Sequence, residues 1–432
     1  MLKAWTLSER RSRISGWVPH ERPARSSLGF LGRPLNNFVQ CARTPTAWPF
    51  TPAELFDFGV FTSTSEATPK FYVDYRLRAA GREPLPDDLR AVALLESLRG
   101  RTLAVMGDSS PMYLFGFLSC WALAALQAEG HLGERELAEV ANASKAWHER
   151  FVAQVDVLLD GSTAPLRHHY RQRLHNHAWW VHGGQALVFP RFGNATLAYI
   201  NLCHHQAKGR AAVPSEWLPY AEIALQAVGH MQPSGLRVAA MISNALEPNA
   251  GRPESAQDAR DATGRVAAAV ETLTRSFVQT RRRLALRDAK LMLVESQAQH
   301  FNNSYGLFGR GAPQHLPCAT SIARLVPPEE LAQSGGALVR TRANFKNLAV
   351  ALGASWALNG SMDHDVGFVH VWSGLAQLSG IDAHWHHGKT AGDDGRDAAL
   401  VTAGVADCTH PGPDSLLYQL QALVAETMRL AR

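Results

Sequence analysis

The chain has 432 residues, 46% hydrophobic and 19% charged, a balance ordinary for a globular protein with a substantial packed core, so disorder is not the default reading. Its net charge of +5 and pI near 9.0 are mild, compatible with an acidic glycan, a lipid surface or simply solvated helix faces such as Arg281–Arg283. No zinc-finger, basic-zipper or RNA-recognition pattern is present, so nucleic acid is not an expected partner.

Residues 1–70 are rich in Arg, Ser and Pro, with Pro45, Pro49 and Pro52 punctuating them, and read as a poorly structured extension. Residues 71–432 read as a single α/β catalytic domain with inserted loops. Helical spacing over 89–98 ends at Gly100, and the apolar run 102–106 reads as a buried strand. That strand runs directly into Gly107-Asp108-Ser109. Pro111 suits the first turn of a following helix, extending through 115–126. The free amides of such a helix N-terminus would face Ser109 and any oxyanion forming there.

Residues 161–184 hold His168, His169, His175, His177 and His182 among Trp179 and Trp180. No carboxylate or cysteine accompanies them in a metal-ligand spacing, so an aromatic, polar wall for sugars is the expectation, with His182 as a substrate-binding residue. Two short strands follow, 186–189 and 196–200, joined by the hairpin-like Pro190-Arg-Phe-Gly-Asn194. A further buried strand is expected over 236–244, ending in the polar Asn244, a helix is expected over 258–285, and a strand over 290–294 leads toward His300. A helix near 345–352 then precedes a strand over 366–371.

The C-terminal part carries two histidine-bearing clusters. Asp382-Ala-His384-Trp-His-His387 offers three imidazoles and a carboxylate, enough for a metal half-site or an alternative base. Asp407-Cys-Thr-His410 precedes an amphipathic helix with Leu416, Leu417, Leu420, Leu423 and Val424 on one stripe, which would hold the preceding loop rigidly. A serine hydroxyl becomes nucleophilic when an imidazole takes its proton, and a carboxylate holds that imidazole in the useful tautomer. Ser109, His410 and Asp407 are therefore the expected triad, the last two sharing a turn, and His384 is assigned to the substrate wall.

The stretch from Leu95 to Ser109, followed by Phe117-Leu-Ser-Cys120, resembles the first block of the PC-esterase and trichome-birefringence-like proteins, a branch of the SGNH (GDSL-like) hydrolase superfamily. Asp407-Cys-Thr-His-Pro-Gly-Pro-Asp414 resembles their closing block, and the segments around Glu295–His300, Pro313–His315 and Asp382–His384 resemble intervening ones. The resemblance spans about residues 90–432. The chain departs from the family pattern at Ser110–Phe115, which lacks an Arg, and at Pro411-Gly412, where an aromatic residue and Cys often stand.

What this resemblance implies is an SGNH-like, mostly parallel central sheet flanked by helices, with Ser109, Asp407 and His410 as the triad and Asn244 as an oxyanion donor. It implies O-acetyl transfer to a polysaccharide or glycan hydroxyl through an acyl-enzyme. The alternatives are a soluble carbohydrate esterase or a catalytically inactive glycan-binding protein. His300, in the matched Glu295–His300 segment, is expected to contact substrate. No metal and no cofactor are expected beyond an acetyl donor such as an acetyl thioester.

Five cysteines, Cys41, Cys120, Cys203, Cys318 and Cys408, form no metal-binding spacing, and either one or two disulfides or five free thiols fit them. Acceptor motifs for N-glycosylation occur at Asn142, Asn194, Asn302 and Asn359. With the kinship, they lean toward the secretory pathway and the Golgi. No run of eighteen apolar residues encodes a membrane anchor, so membrane association would require a missing anchor or a partner. An organellar or cytoplasmic location is the alternative.

Overall fold

The structure, a computed structural model, describes residues 16–19, 75–78, 91–107, 109–160, 184–201, 214–231, 236–242, 256–283, 289–294, 349, 353, 357, 366–369, 384–386, 406–411, 419–420 and 422–428. β1 (Gly16–Pro19), inside the expected N-terminal extension, pairs antiparallel with β2 (Tyr75–Arg78), which falls within the expected 71–432 domain.

A six-stranded sheet forms the centre. Its strands are β3 (Thr102–Gly107), β4 (Gly184–Phe189), β5 (Ala195–Asn201), β6 (Leu236–Ile242), β7 (Lys290–Val294) and β8 (Val366–Val369). Their spatial order is β4-β5-β3-β6-β7-β8. Every pairing is parallel except that of β4 with β5. The mixed α/β architecture expected from the sequence is therefore present. Taken alone, the five parallel strands lie in the spatial order second, first, third, fourth, fifth, which is an order of open doubly wound sheets.

The sequence explains why β3 lies at the centre. All six of its residues are buried, and a strand covered on both faces reads as an unbroken apolar run rather than an alternation. The β4–β5 hairpin turns through a 3₁₀ turn at Pro190–Phe192, with Gly193 and Asn194 both left-handed at φ 61° and 63°. Glycine and asparagine are the residues that tolerate this conformation.

Helices cover the sheet. They are α1 (Ala91–Ser97), α2 (Ser109–Ala128), α3 (Glu134–Asp160), α4 (Pro214–Met231) and α5 (Ala256–Arg283). α3 packs against α4 and α4 against α5, while α3 also covers β4 and α4 covers β6. α2 packs on β3, β5 and β6, with α1 beside it. Sequence reasoning missed α3 and α4. α3 is visible in retrospect as a stripe of Val140, Ser144, Trp147, Phe151, Val155 and Leu159, all buried, at the three- and four-residue spacing of an amphipathic helix.

α3 also seals one edge of the sheet. The amide of Val188 on β4 donates to Ser144 Oγ at 3.0 Å, in a buried bond. Edge strands otherwise expose unpaired amides that template pairing with other chains.

Candidate active site at the carboxyl edge of the sheet

The site begins where β3 ends. Gly107 has φ +148°, and a Cβ added there would stand 2.4 Å from Pro111 Cγ. Only glycine lets the chain leave the strand this sharply while the proline ring of the first helical turn closes over it. The Tyr199 hydroxyl on β5 donates to the Gly107 carbonyl at 3.3 Å, a buried bond. The Tyr199 ring stacks against Phe115 of α2, with centroids 6.0 Å apart and planes 29° apart. Strand end and helix start are thereby tied to the neighbouring strand.

Ser109 is the first residue of α2, so it follows directly on this turn. Asp108 lies outside the described residues, as does the Ser109 side chain. The first amides of a helix have no intrahelical acceptor and carry a partial positive charge. A serine here thus stands among donors suited to a developing oxyanion.

The position of β3 adds a second reason to look here. The chain passes from β3 to β5 on one side and then returns to β6 on the other. Open α/β sheets bind ligands outside the carboxyl ends of their strands at such a reversal. Because β6 and β7 run parallel to β3 in close register, Met106 to Met241 and Met241 to Leu293, the carboxyl ends of the three strands lie at the same edge. Asn244 follows two residues after Ile242, and His300 six after Val294. Both lie outside the described residues, as does His182.

Asp407 and His410 lie on β10 (Ala406–Pro411), which pairs antiparallel with β9 (His384–His386) in a ribbon separate from the main sheet. β10 also lies against α2, the helix that Ser109 opens. The register matches Ala406 to His386 and Pro411 to His384, with an irregularity between. Asp407, Cys408, Thr409 and His410 therefore share the interval opposite Trp385 alone.

The sequence suggested a turn for Asp407–His410, and the structure has a strand instead. In a regular strand residues three apart occupy opposite faces. Extra residues on one strand break that alternation and re-aim side chains, which is why bulges recur beside active sites. The same pairing brings His384 and His386 alongside the Asp407–His410 stretch. Backbone pairing thus joins two clusters that the sequence presented as competitors.

Pro111 stands in the first turn of α2 as the sequence suggested, whereas Tyr199 is a site-building residue that sequence reasoning missed as such. Its signal was weak: a tyrosine inside a strand has an ordinary packing role. Among the described residues no group of three or more potential metal-ligating side chains occurs, and no helix is long and apolar enough to cross a membrane.

The described fold defines an open α/β protein with a candidate serine site at its sheet reversal. No protein-family model matches the chain, and no curated protein is significantly similar to it.

Proposed function

We propose that the chain is a serine-dependent O-acyltransferase of SGNH type, moving an acetyl group to a glycan hydroxyl, with Ser109, His410 and Asp407 as nucleophile, base and orienting acid. One observation carries this reading: Ser109 opens α2 directly beyond β3 at the reversal of the sheet, and the strand holding Asp407 and His410 packs against that same helix. The parallel order of β5, β3, β6, β7 and β8 supports an SGNH-like sheet.

His410 removes the Ser109 proton as Oγ attacks the acyl carbon. The tetrahedral oxyanion is held by amides at the start of α2 and by Asn244. Collapse expels the donor's leaving group, which takes the proton from His410, and leaves an acyl-serine. A sugar hydroxyl then gives its proton to His410 and attacks the ester; the proton returns to Ser109 Oγ as the acylated sugar departs. If water takes the sugar's place, the same site is an esterase.

Intact-protein mass after incubation with an activated acetyl ester tests this. The wild type should gain one acetyl group that Ser109→Ala does not, and candidate polysaccharides should discharge it with acetylated product. Absence of a Ser109-dependent adduct, together with absence of Ser109-dependent turnover, would refute the proposal.

A further inference from the structure

Two of the N-glycosylation acceptor triplets, Asn142-Ala-Ser144 and Asn194-Ala-Thr196, lie among the described residues, and the fold treats them differently. Such a triplet is recognised through the asparagine amide and the hydroxyl two residues later, so both must be presented on one side of the chain. In α3 they are not. Residues two apart on a helix stand about 200° apart around its axis. Asn142 is accordingly exposed, while Ser144 is buried with its hydroxyl accepting the Val188 amide.

Asn194 stands instead in the left-handed turn before β5, exposed between the buried Phe192 and Ala195. The Thr196 hydroxyl turns back and donates to the Asn194 carbonyl at 3.0 Å, so hydroxyl and acceptor residue come together in this conformation. Thr196 is fully buried where β5 pairs with β3, which leaves the triplet accessible only before that pairing. Folding order keeps it accessible. A helix such as α3 relaxes within about 1 μs, whereas strands distant in sequence pair far more slowly.

The turn is also well placed to carry a bulky, solvated group. Thr196 is level with Thr102 at the start of β3, and Gly107 lies at its far end, about 17 Å along the strand. A group on Asn194 therefore leaves from the amino edge of the sheet, opposite the edge that Ser109 follows.

We propose that Asn194 carries an N-linked oligosaccharide, attached in a secretory lumen before β5 joins the sheet, and that Asn142 is left unmodified. The donor is a lipid-diphosphate-linked oligosaccharide. Asn194 Nδ2 bonds to the anomeric carbon as that carbon's bond to the diphosphate oxygen breaks. The electron pair leaves with the lipid diphosphate, and the amide nitrogen gives one proton to a base of the oligosaccharide-transferring enzyme.

The test is peptide mapping of the full-length chain from the cells that make it, after enzymatic deglycosylation in heavy-oxygen water, which marks each glycan-bearing asparagine as a labelled aspartate. The peptide holding Asn194 should carry the label and that holding Asn142 should not. An unlabelled Asn194 overturns the proposal, and so does labelling of Asn142 equal to that of Asn194. Asn194→Asp keeps a residue type that tolerates the left-handed turn and removes the acceptor amide, so the intact chain should lose the mass of one glycan; an unchanged glycan mass refutes the assignment. The wild-type map decides alone if that variant fails to fold. A labelled Asn194 in a chain that forms no acyl-serine would leave the modification standing while the proposed function falls.

Discussion

Pro111 fills the space that a side chain at Gly107 would need, with only 2.4 Å between Pro111 Cγ and an added Cβ. The close approach joins the end of β3 to the start of α2, the corner from which Ser109 emerges. Gly107→Ala should therefore destabilise the fold by about 2–4 kcal/mol, combining the strain of a positive φ with overpacking. A denaturant titration of the variant against wild type checks this, with an unchanged midpoint as the contrary result.

Tyr199→Phe probes the same corner more gently. It keeps the ring against Phe115 and removes only the hydroxyl bonded to the Gly107 carbonyl. A net loss of about 0.5–1.5 kcal/mol is expected for such a bond. On the proposed mechanism, acylation of Ser109 should slow while the strand core stays intact by circular dichroism.

Ser144→Ala should cost about 1–3 kcal/mol, because the Val188 amide would remain buried without its acceptor. Hydrogen exchange at the Val188 amide should accelerate selectively. Exchange as slow as in the wild type would show that the α3 hydroxyl is not what protects this strand edge.

The inner layer of α3 gives a larger effect. Trp147 and Phe151 stack with centroids 5.0 Å apart and planes 8° apart, and both are essentially inaccessible to solvent. Phe151→Ala should lower stability by about 3–5 kcal/mol, the range for a buried aromatic truncated in a core that relaxes incompletely. Chemical denaturation would read this loss directly.

Glu136 provides the pH-dependent prediction. Its carboxyl is held below the usual range first by its own backbone amide, then by that of Gly133, with Arg135 and Arg191 contributing. Its Oε2 accepts the Gly133 amide at 2.9 Å, and its Oε1 lies 2.6 Å from Arg191 Nη2. A lowered folded-state pKa contributes stability above the unfolded value, near about 4.3, and that contribution disappears as pH falls through the folded value. The stability gap between wild type and Glu136→Gln should narrow as the solution is acidified through this window. A gap constant across the window would contradict the assignment.

Local chemistry made much of the fold legible in advance. The unbroken apolar run of β3 could be only a buried segment, the Pro190–Asn194 turn announced the β4–β5 hairpin, and the strands at 236–242 and 290–294 stood out as β-branched and aliphatic runs between polar stretches. These depend on side-chain type and spacing within a few residues, which a linear chain displays. Gly107-Asp-Ser109 was legible for the same reason: a strand, a glycine, a polar pair and a helix-starting proline are all local.

The rest depended on long-range pairing. Nothing near β3 states that β5 and β6 flank it, yet that order puts Ser109 at the reversal of the sheet. Nothing in Asp407–His410 distinguishes a turn from an irregular strand, because the difference lies in a partner more than twenty residues earlier at His384–His386. The chain's local patterns settled which segments form the strands of the main sheet and which residues are chemically capable. Tertiary structure settled which of them meet, because strand order and register are set by backbone hydrogen bonds and packing between segments far apart in sequence.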